Sequence, residues 1–114
     1  MKTYPKQSKS SRSDGEHYFG DYGDISMGIS LSSVNQIGDI QDKMHLHQKG
    51  TEFYIILEGK GVLEVEGKNV ELKENEVVMV EPGEKHRVKE ATEAPFKFLV
   101  ICDVKEKEDK IILE

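Results

Sequence analysis

The chain has 114 residues, with 16 basic and 22 acidic side chains and a formal charge of −6, a size that suits one domain around a single core. The charges are spread along the chain with no basic stripe, which argues against nucleic-acid binding. No stretch approaches the roughly 20 apolar residues of a membrane span, and the opening Met-Lys-Thr-Tyr-Pro lacks the apolar core of a signal peptide, so a soluble, cytoplasmic protein without membrane contact is expected.

Residues 1–24 are rich in Lys, Ser, Asp and Gly, a composition that predicts a mobile first dozen and an irregular lead-in. His17 falls here with no second ligand at a strand or helix spacing, so it is given no metal role. Ile25, Met27, Ile29 and Leu31 alternate with Ser26, Gly28, Ser30 and Ser32, the period-2 signature of a half-buried strand covering the core. Gly38-Asp39 marks a turn.

From Thr51 the punctuation is regular. Strands are predicted at 52–57, 62–66, 70–72, 77–80, 86–89 and 96–102, separated by Gly, Pro and Asn turns. With no 3.6-residue apolar stripe, this pattern predicts an all-β fold, an antiparallel sandwich or barrel. Cys102, the single cysteine, excludes an internal disulfide and reads as a small buried hydrophobe. Lys105 to Lys110 reads as a solvated charge run, and Ile111-Ile112-Leu113 as a last strand at a sheet edge or against a second subunit. The expected organisation is a lead-in at 1–24, a barrel at 25–104 and a charged tail at 105–114.

The chemistry concentrates between His45 and Gly59. In a strand His45 and His47 point to one side and Met44 and Leu46 to the other. Glu52 stands five positions after His47, an odd spacing that would put it on the opposite face of one continuous strand. Lys49-Gly50 interrupts that strand, and a second strand starting near Thr51 is expected to fold back as a hairpin and bring Glu52 beside the imidazoles. Two imidazoles and a carboxylate suit iron, manganese, nickel or zinc. A third histidine, His86, follows in Asn75-Glu-Val-Val-Met-Val-Glu-Pro-Gly-Glu-Lys-His86.

The two blocks together resemble the motifs of the cupin superfamily, small single-domain members in particular. His45, His47, Glu52 and Gly59 match the first motif, and Gly83 and His86 match the second. Gly38 is separated from His45 by six residues where the motif has five; Asn75 replaces the opening glycine of the second motif; Glu81 holds its proline position, with Pro82 next; and Glu90 stands where an asparagine is common. None of these departures removes a ligand, and asparagine also tolerates left-handed turns. The resemblance implies a double-stranded, jelly-roll-like β-barrel, often a homodimer, with His45, His47, Glu52 and His86 binding one divalent transition metal.

Four such ligands would leave one or two positions of the ion open for water, dioxygen or an oxygen-rich small molecule. The expected function is a metalloenzyme of dioxygenase-like or isomerase-like chemistry. The alternative is a non-catalytic cupin that holds a sugar or organic acid. If Glu52 and His86 face inward, parity brings Tyr54, Ile56 and Val88 to the same interior. Tyr54 is then the candidate to contact substrate or support the ligands, and Arg87 points away. Phe53, Ile55 and Leu57 fall on the outer face, for packing against the other sheet or a dimer partner.

Overall fold

Two long strands carry the architecture. In the computed structural model, which describes residues 1, 8–12, 15–20, 27–104 and 109–113, ten strands follow in order: β1 (Ser8–Arg12), β2 (Gly15–Gly20), β3 (Gly28–Val34), β4 (Gly38–Asp39), β5 (His45–His47), β6 (Glu52–Val65), β7 (Lys68–Lys73), β8 (Val77–Val80), β9 (His86–Cys102) and β10 (Lys110–Ile112). All pairings are antiparallel. β6 and β9 each serve two walls. The first half of β6 and the second half of β9 pair with each other and with β8 and β3, and β2 and β1 extend that wall. The second half of β6 pairs with β7 and with the first half of β9, and β4, β5 and β10 complete the other wall. The result is the expected all-β, curled antiparallel barrel.

The predicted breaks at 58–61 and 90–95 are bends within strands rather than ends of strands. Between Ile56 and Gly61 the β6/β9 register slips repeatedly, which lets both strands turn the corner from one wall to the other. Gly59 makes this bend at φ 76°. A Cβ there would meet the carbonyl oxygens of Pro95 at 2.2 Å and Glu93 at 2.6 Å, so the backbones approach too closely for any side chain. At Gly61 a Cβ would lie 2.4 Å from the Phe96 ring; the missing side chain is the space that the ring fills.

Three further expectations change. The segment read as an irregular lead-in contains β1 and β2, which pair along Ser8↔Phe19 to Arg12↔Gly15; pairing to β3 orders a stretch whose own composition carries little apolar content. The rest of that lead-in call, and Ile25 of the first predicted strand, lie outside the described residues. Gly38-Asp39, read as a turn, pairs with Ala91 and Glu90 of β9. Strand β3 also reverses the expected faces. Ser30, Ser32 and Val34 point inward while Ile29 and Leu31 are only half-buried on the outside, because alternation defines two faces without saying which meets the interior.

The apolar interior centres on Val34, Leu63, Leu72, Val80 and Phe96, all nearly inaccessible. Rings then lead from this core to the polar end of the barrel. Phe96 stacks on Phe98 with centroids 4.9 Å apart, Phe98 neighbours Tyr54 at 6.3 Å, and Tyr54 meets His86 edge-on at 6.2 Å. Asn75, standing where the family motif has glycine, adopts φ 68°, a left-handed turn open to asparagine.

Candidate metal centre

Each candidate ligand sits at or near the start of a strand, where one wall faces the other. His45 and His47 lie on β5 with Leu46 between them on the other face. His86 opens β9 and pairs directly with His45. Glu52 opens β6 on the opposite wall. The expected β5–β6 hairpin is therefore corrected: β5 pairs with β9 and β10, and residues 48–51 cross between walls, so Glu52 faces the imidazoles across the interior.

One donor atom from each of His45, His47, Glu52 and His86 falls within 4.8 Å of all the others, and all four residues are buried. Glu52 Oε1 is 2.6 Å from His86 Nε2 and 3.2 Å from His47 Nε2. His45 Nδ1–H donates to the Lys43 carbonyl at 2.6 Å and His86 Nδ1–H to the Glu84 carbonyl at 2.9 Å. These bonds set both ring orientations and direct Nε2 to the shared centre, the usual support of a metal-binding imidazole. The donor set thus fits a divalent ion.

Electrostatics follow from burial opposed by pairing. Burial alone would raise the Glu52 carboxyl, but hydrogen bonds from His47 and His86 outweigh it and hold the group far below the ordinary carboxylate range. Burial would lower His86, yet the Glu52 carboxylate beside it raises it above the ordinary value. His45 is lowered, chiefly by burial. Tyr54, 3% exposed, donates its hydroxyl to Glu52 Oε1 at 3.3 Å, and Val88 and Ile56 are buried beside it as parity required. Arg87 points away and pairs with Glu64 at 2.9 Å. Cys102 is buried, and burial pushes its thiol up to about 11.

Two residues that sequence reasoning passed over belong to this region. Asp109, placed in the solvated charge run, is 4% exposed. Its carboxylate accepts the N–H groups of Lys49 at 2.7 Å and Gly50 at 2.8 Å, and lies 3.6 Å from His47 Nδ1. That ring nitrogen has no hydrogen-bond partner among the described residues. Nothing in the sequence near Asp109 signals this, since its partners are some 60 positions away. His17 is 2% exposed, with Nδ1 2.7 Å from the Ser32 hydroxyl. It lines a cavity of about 110 Å³ together with His45, Glu52 and Tyr54. No helix among the described residues is long and apolar enough to cross a membrane.

A curled barrel with three imidazoles and a carboxylate converging inside defines a small β-barrel with a candidate metal site. The family model for the cupin domain matches residues 35–102, and the chain belongs to the cupin family. A curated relative is an uncharacterised protein, MJ1618, of Methanocaldococcus jannaschii, 27% identical over 77 residues that make up 66% of this chain and 62% of that protein. The match therefore spans under two thirds of the relative's length.

Among solved structures, a variant of Streptomyces PAC13 with uridine superposes with a TM-score of 0.77 at 12% identity, covering 100% of this chain and 93% of that one; PAC13 is described as a nucleoside dehydratase. KdgF from Halomonas gives 0.71 at 10% identity over 90% and 92%. A variant oxalate decarboxylase of B. subtilis gives 0.75 at 15% identity, covering 93% of this chain and 30% of that one. At these identities the likeness establishes the shared barrel.

Proposed function

We propose that this protein is a mononuclear divalent-metal enzyme acting on a small, oxygen-rich molecule, with His45, His47, Glu52 and His86 as the metal ligands. The observation that carries this reading is the convergence of four buried donor atoms within 4.8 Å beside a cavity. When bound there, iron, manganese, nickel or zinc would supply Lewis acidity and open coordination positions. The chain's own residues do the rest. The Lys43 and Glu84 carbonyls orient two of the imidazoles, and Tyr54 steadies the Glu52 carboxylate. Val88, Phe98 and Val100 line the cavity with apolar surface, which limits water and strengthens every polar contact made there.

Elemental analysis of the purified protein tests the ligand set. Stoichiometric metal in the native chain is expected, lost in His86→Ala while the barrel stays folded by circular dichroism. Loading with iron(II), manganese(II), nickel(II) and zinc(II) and screening diketones, catechols, flavonols, uronic acids and sugar phosphates tests the enzyme reading. Turnover by none of these combinations would overturn it, and a compound that binds unchanged after metal removal would replace it with a binding module.

A homodimer and a cytoplasmic location complete the proposal. Two four-residue apolar ladders cross the outer face of one wall, Ile29–Ile101–Phe53–Met79 and Leu31–Leu99–Ile55–Val77. Their members are half-buried or exposed, Met79 at 51% and Val77 at 61%. A continuous apolar patch of this kind suits burial against a second copy about a two-fold axis. The free, buried Cys102 suits a reducing compartment.

A further inference from the structure

Two of the three imidazoles of the candidate metal centre commit Nδ1 to a backbone carbonyl, His45 to that of Lys43 and His86 to that of Glu84. The third is different. His47, 3% exposed, turns Nε2 to Glu52 at 3.2 Å, while its Nδ1 is buried with no hydrogen-bond partner among the described residues. A buried ring nitrogen left in this way costs free energy unless something meets it.

What surrounds that nitrogen is a second set of donors. Asp109 Oδ2 lies 3.6 Å away, beyond hydrogen-bonding reach. One donor atom from each of His47, Cys102 and Asp109 falls within 4.8 Å of the other two, and all three residues are buried. Zinc bonds of about 2.1 Å to nitrogen and oxygen put two tetrahedral ligands roughly 3.4 Å apart, and a zinc–sulfur bond of about 2.3 Å asks for slightly more. The His47–Asp109 spacing is thus close to that of two ligands on one ion.

The backbone holds this trio in place. Asp109 accepts the Lys49 N–H on Oδ1 at 2.7 Å and the Gly50 N–H on Oδ2 at 2.8 Å, which fixes the carboxylate and leaves Oδ2 a lone pair. The thiol and the carboxylate meet against the bare face of Gly50, where a Cβ would lie 2.6 Å from Cys102 Sγ and 2.8 Å from Asp109 Oδ2. Burial opposes ionisation of Cys102, and a hydrogen bond from the Val104 backbone favours it.

We propose that His47 Nδ1, Cys102 Sγ and Asp109 Oδ2 form a second metal site, sharing His47 with the first. The mixed sulfur, nitrogen and oxygen set suits zinc, and its thiolate selects against manganese, magnesium and calcium, which prefer oxygen. With Nε2 on the first ion, the one proton of a neutral His47 ring sits on Nδ1 and faces Asp109. The second ion replaces that proton and the thiol proton, so its entry expels two protons and leaves His47 bridging the two ions. This cost makes the second site fill after the first, when the ion is supplied in excess. The inference goes beyond the mononuclear reading and rests on it only for the bridge.

Cobalt(II) tests the site, because a thiolate ligand adds an intense sulfur-to-metal charge-transfer band in the near ultraviolet. The full-length, metal-free protein is expected to take up two equivalents, the band arising with the second, and zinc should then bleach it. Cys102→Ala should keep the first equivalent and lose the second with its band. Asp109→Asn should weaken the second by more than about 100-fold, since a direct ligand outweighs an outer one. His86→Ala should lose the first equivalent and keep the band.

Saturation at one equivalent with no thiolate band, or a second equivalent held within threefold of wild-type affinity in Cys102→Ala, overturns the second site and leaves the metalloenzyme reading intact. One equivalent with a thiolate band in both wild type and His86→Ala supports the second site and removes the first. If Cys102→Ala does not fold, zinc K-edge X-ray absorption of wild type loaded with two equivalents decides: sulfur in the zinc shell supports the site, and nitrogen and oxygen alone overturn it.

Discussion

The carboxylate of Asp109 accepts the backbone N–H of Gly50 at 2.8 Å, tying the end of the chain to the turn that carries the first two histidines across to Glu52. A Cβ on Gly50 would lie 2.8 Å from the same carboxylate oxygen and 2.6 Å from Cys102 Sγ, so the contact depends on the missing side chain. The neighbouring His47 Nδ1, 3.6 Å from Asp109, makes this acid the natural outer partner of the imidazole proposed as a ligand.

Removing the acid should therefore loosen both turn and ligand. Asp109→Ala is expected to cost roughly 2–3 kcal/mol, from two lost charge-assisted hydrogen bonds, and to weaken metal affinity about 10- to 100-fold. Chemical denaturation with metal removed and a competitive chelator titration read the two effects. Unchanged affinity would sever the link between Asp109 and His47.

Acid should release the metal. Both ring nitrogens of His86 face acceptors, the Glu84 carbonyl and the Glu52 carboxylate, so the metal-free ring favours its protonated form. Metal binding must then expel a proton, measurable as acidification of a weakly buffered sample. Occupancy should fall as pH drops below about 6.5, the free-histidine value. Metal retained fully at pH ~4 would contradict histidine ligation.

In the metal-free protein the same pair should impose opposite limits on stability. Glu52 is lowered in the folded state, so its contribution is present above the ordinary carboxylate value and lost as pH falls. His86 is raised, so its contribution is full below the ordinary histidine value and lost as pH rises through the raised one. Glu52→Gln should flatten both limbs of the melting-temperature profile.

Two glycines separate backbone strain from collision. Gly59 and Gly67 have similar φ, 76° and 78°, but a Cβ at Gly67 would meet nothing within 4 Å, whereas at Gly59 it would strike the Pro95 oxygen at 2.2 Å. Gly67→Ala should cost about 1–2 kcal/mol, the left-handed conformation alone. Gly59→Ala should cost distinctly more, as measured by denaturant unfolding.

The outer ladders predict association. Met79→Lys combined with Val77→Lys should convert a dimer to a folded monomer in light scattering, because both side chains are more than half exposed in the single chain and like charges would meet across the two-fold axis. A monomeric wild type at micromolar concentration would remove the dimer.

The sequence alone determined the local parts. His45-x-His47, Glu52 and the later His86 stand at spacings that resemble the cupin motifs and so implied a candidate ligand set, and inward parity correctly carried Tyr54, Ile56 and Val88 to the interior, because strand alternation is a short-range property. The regular glycine and proline punctuation announced an all-β antiparallel sandwich or barrel, and the motif resemblance pointed to the barrel. What it could not announce is which breaks were bends, since Gly59 divides β6 between two walls only when Pro95 and Phe96 press against it. Tertiary structure alone decided that β5 and β6 belong to opposite walls and that the serine side of β3 faces inward. It alone brought His17 and Asp109, from segments of unremarkable polar composition, to either side of the candidate metal centre. Their partners lie 15 and about 60 residues away, beyond the reach of any local pattern.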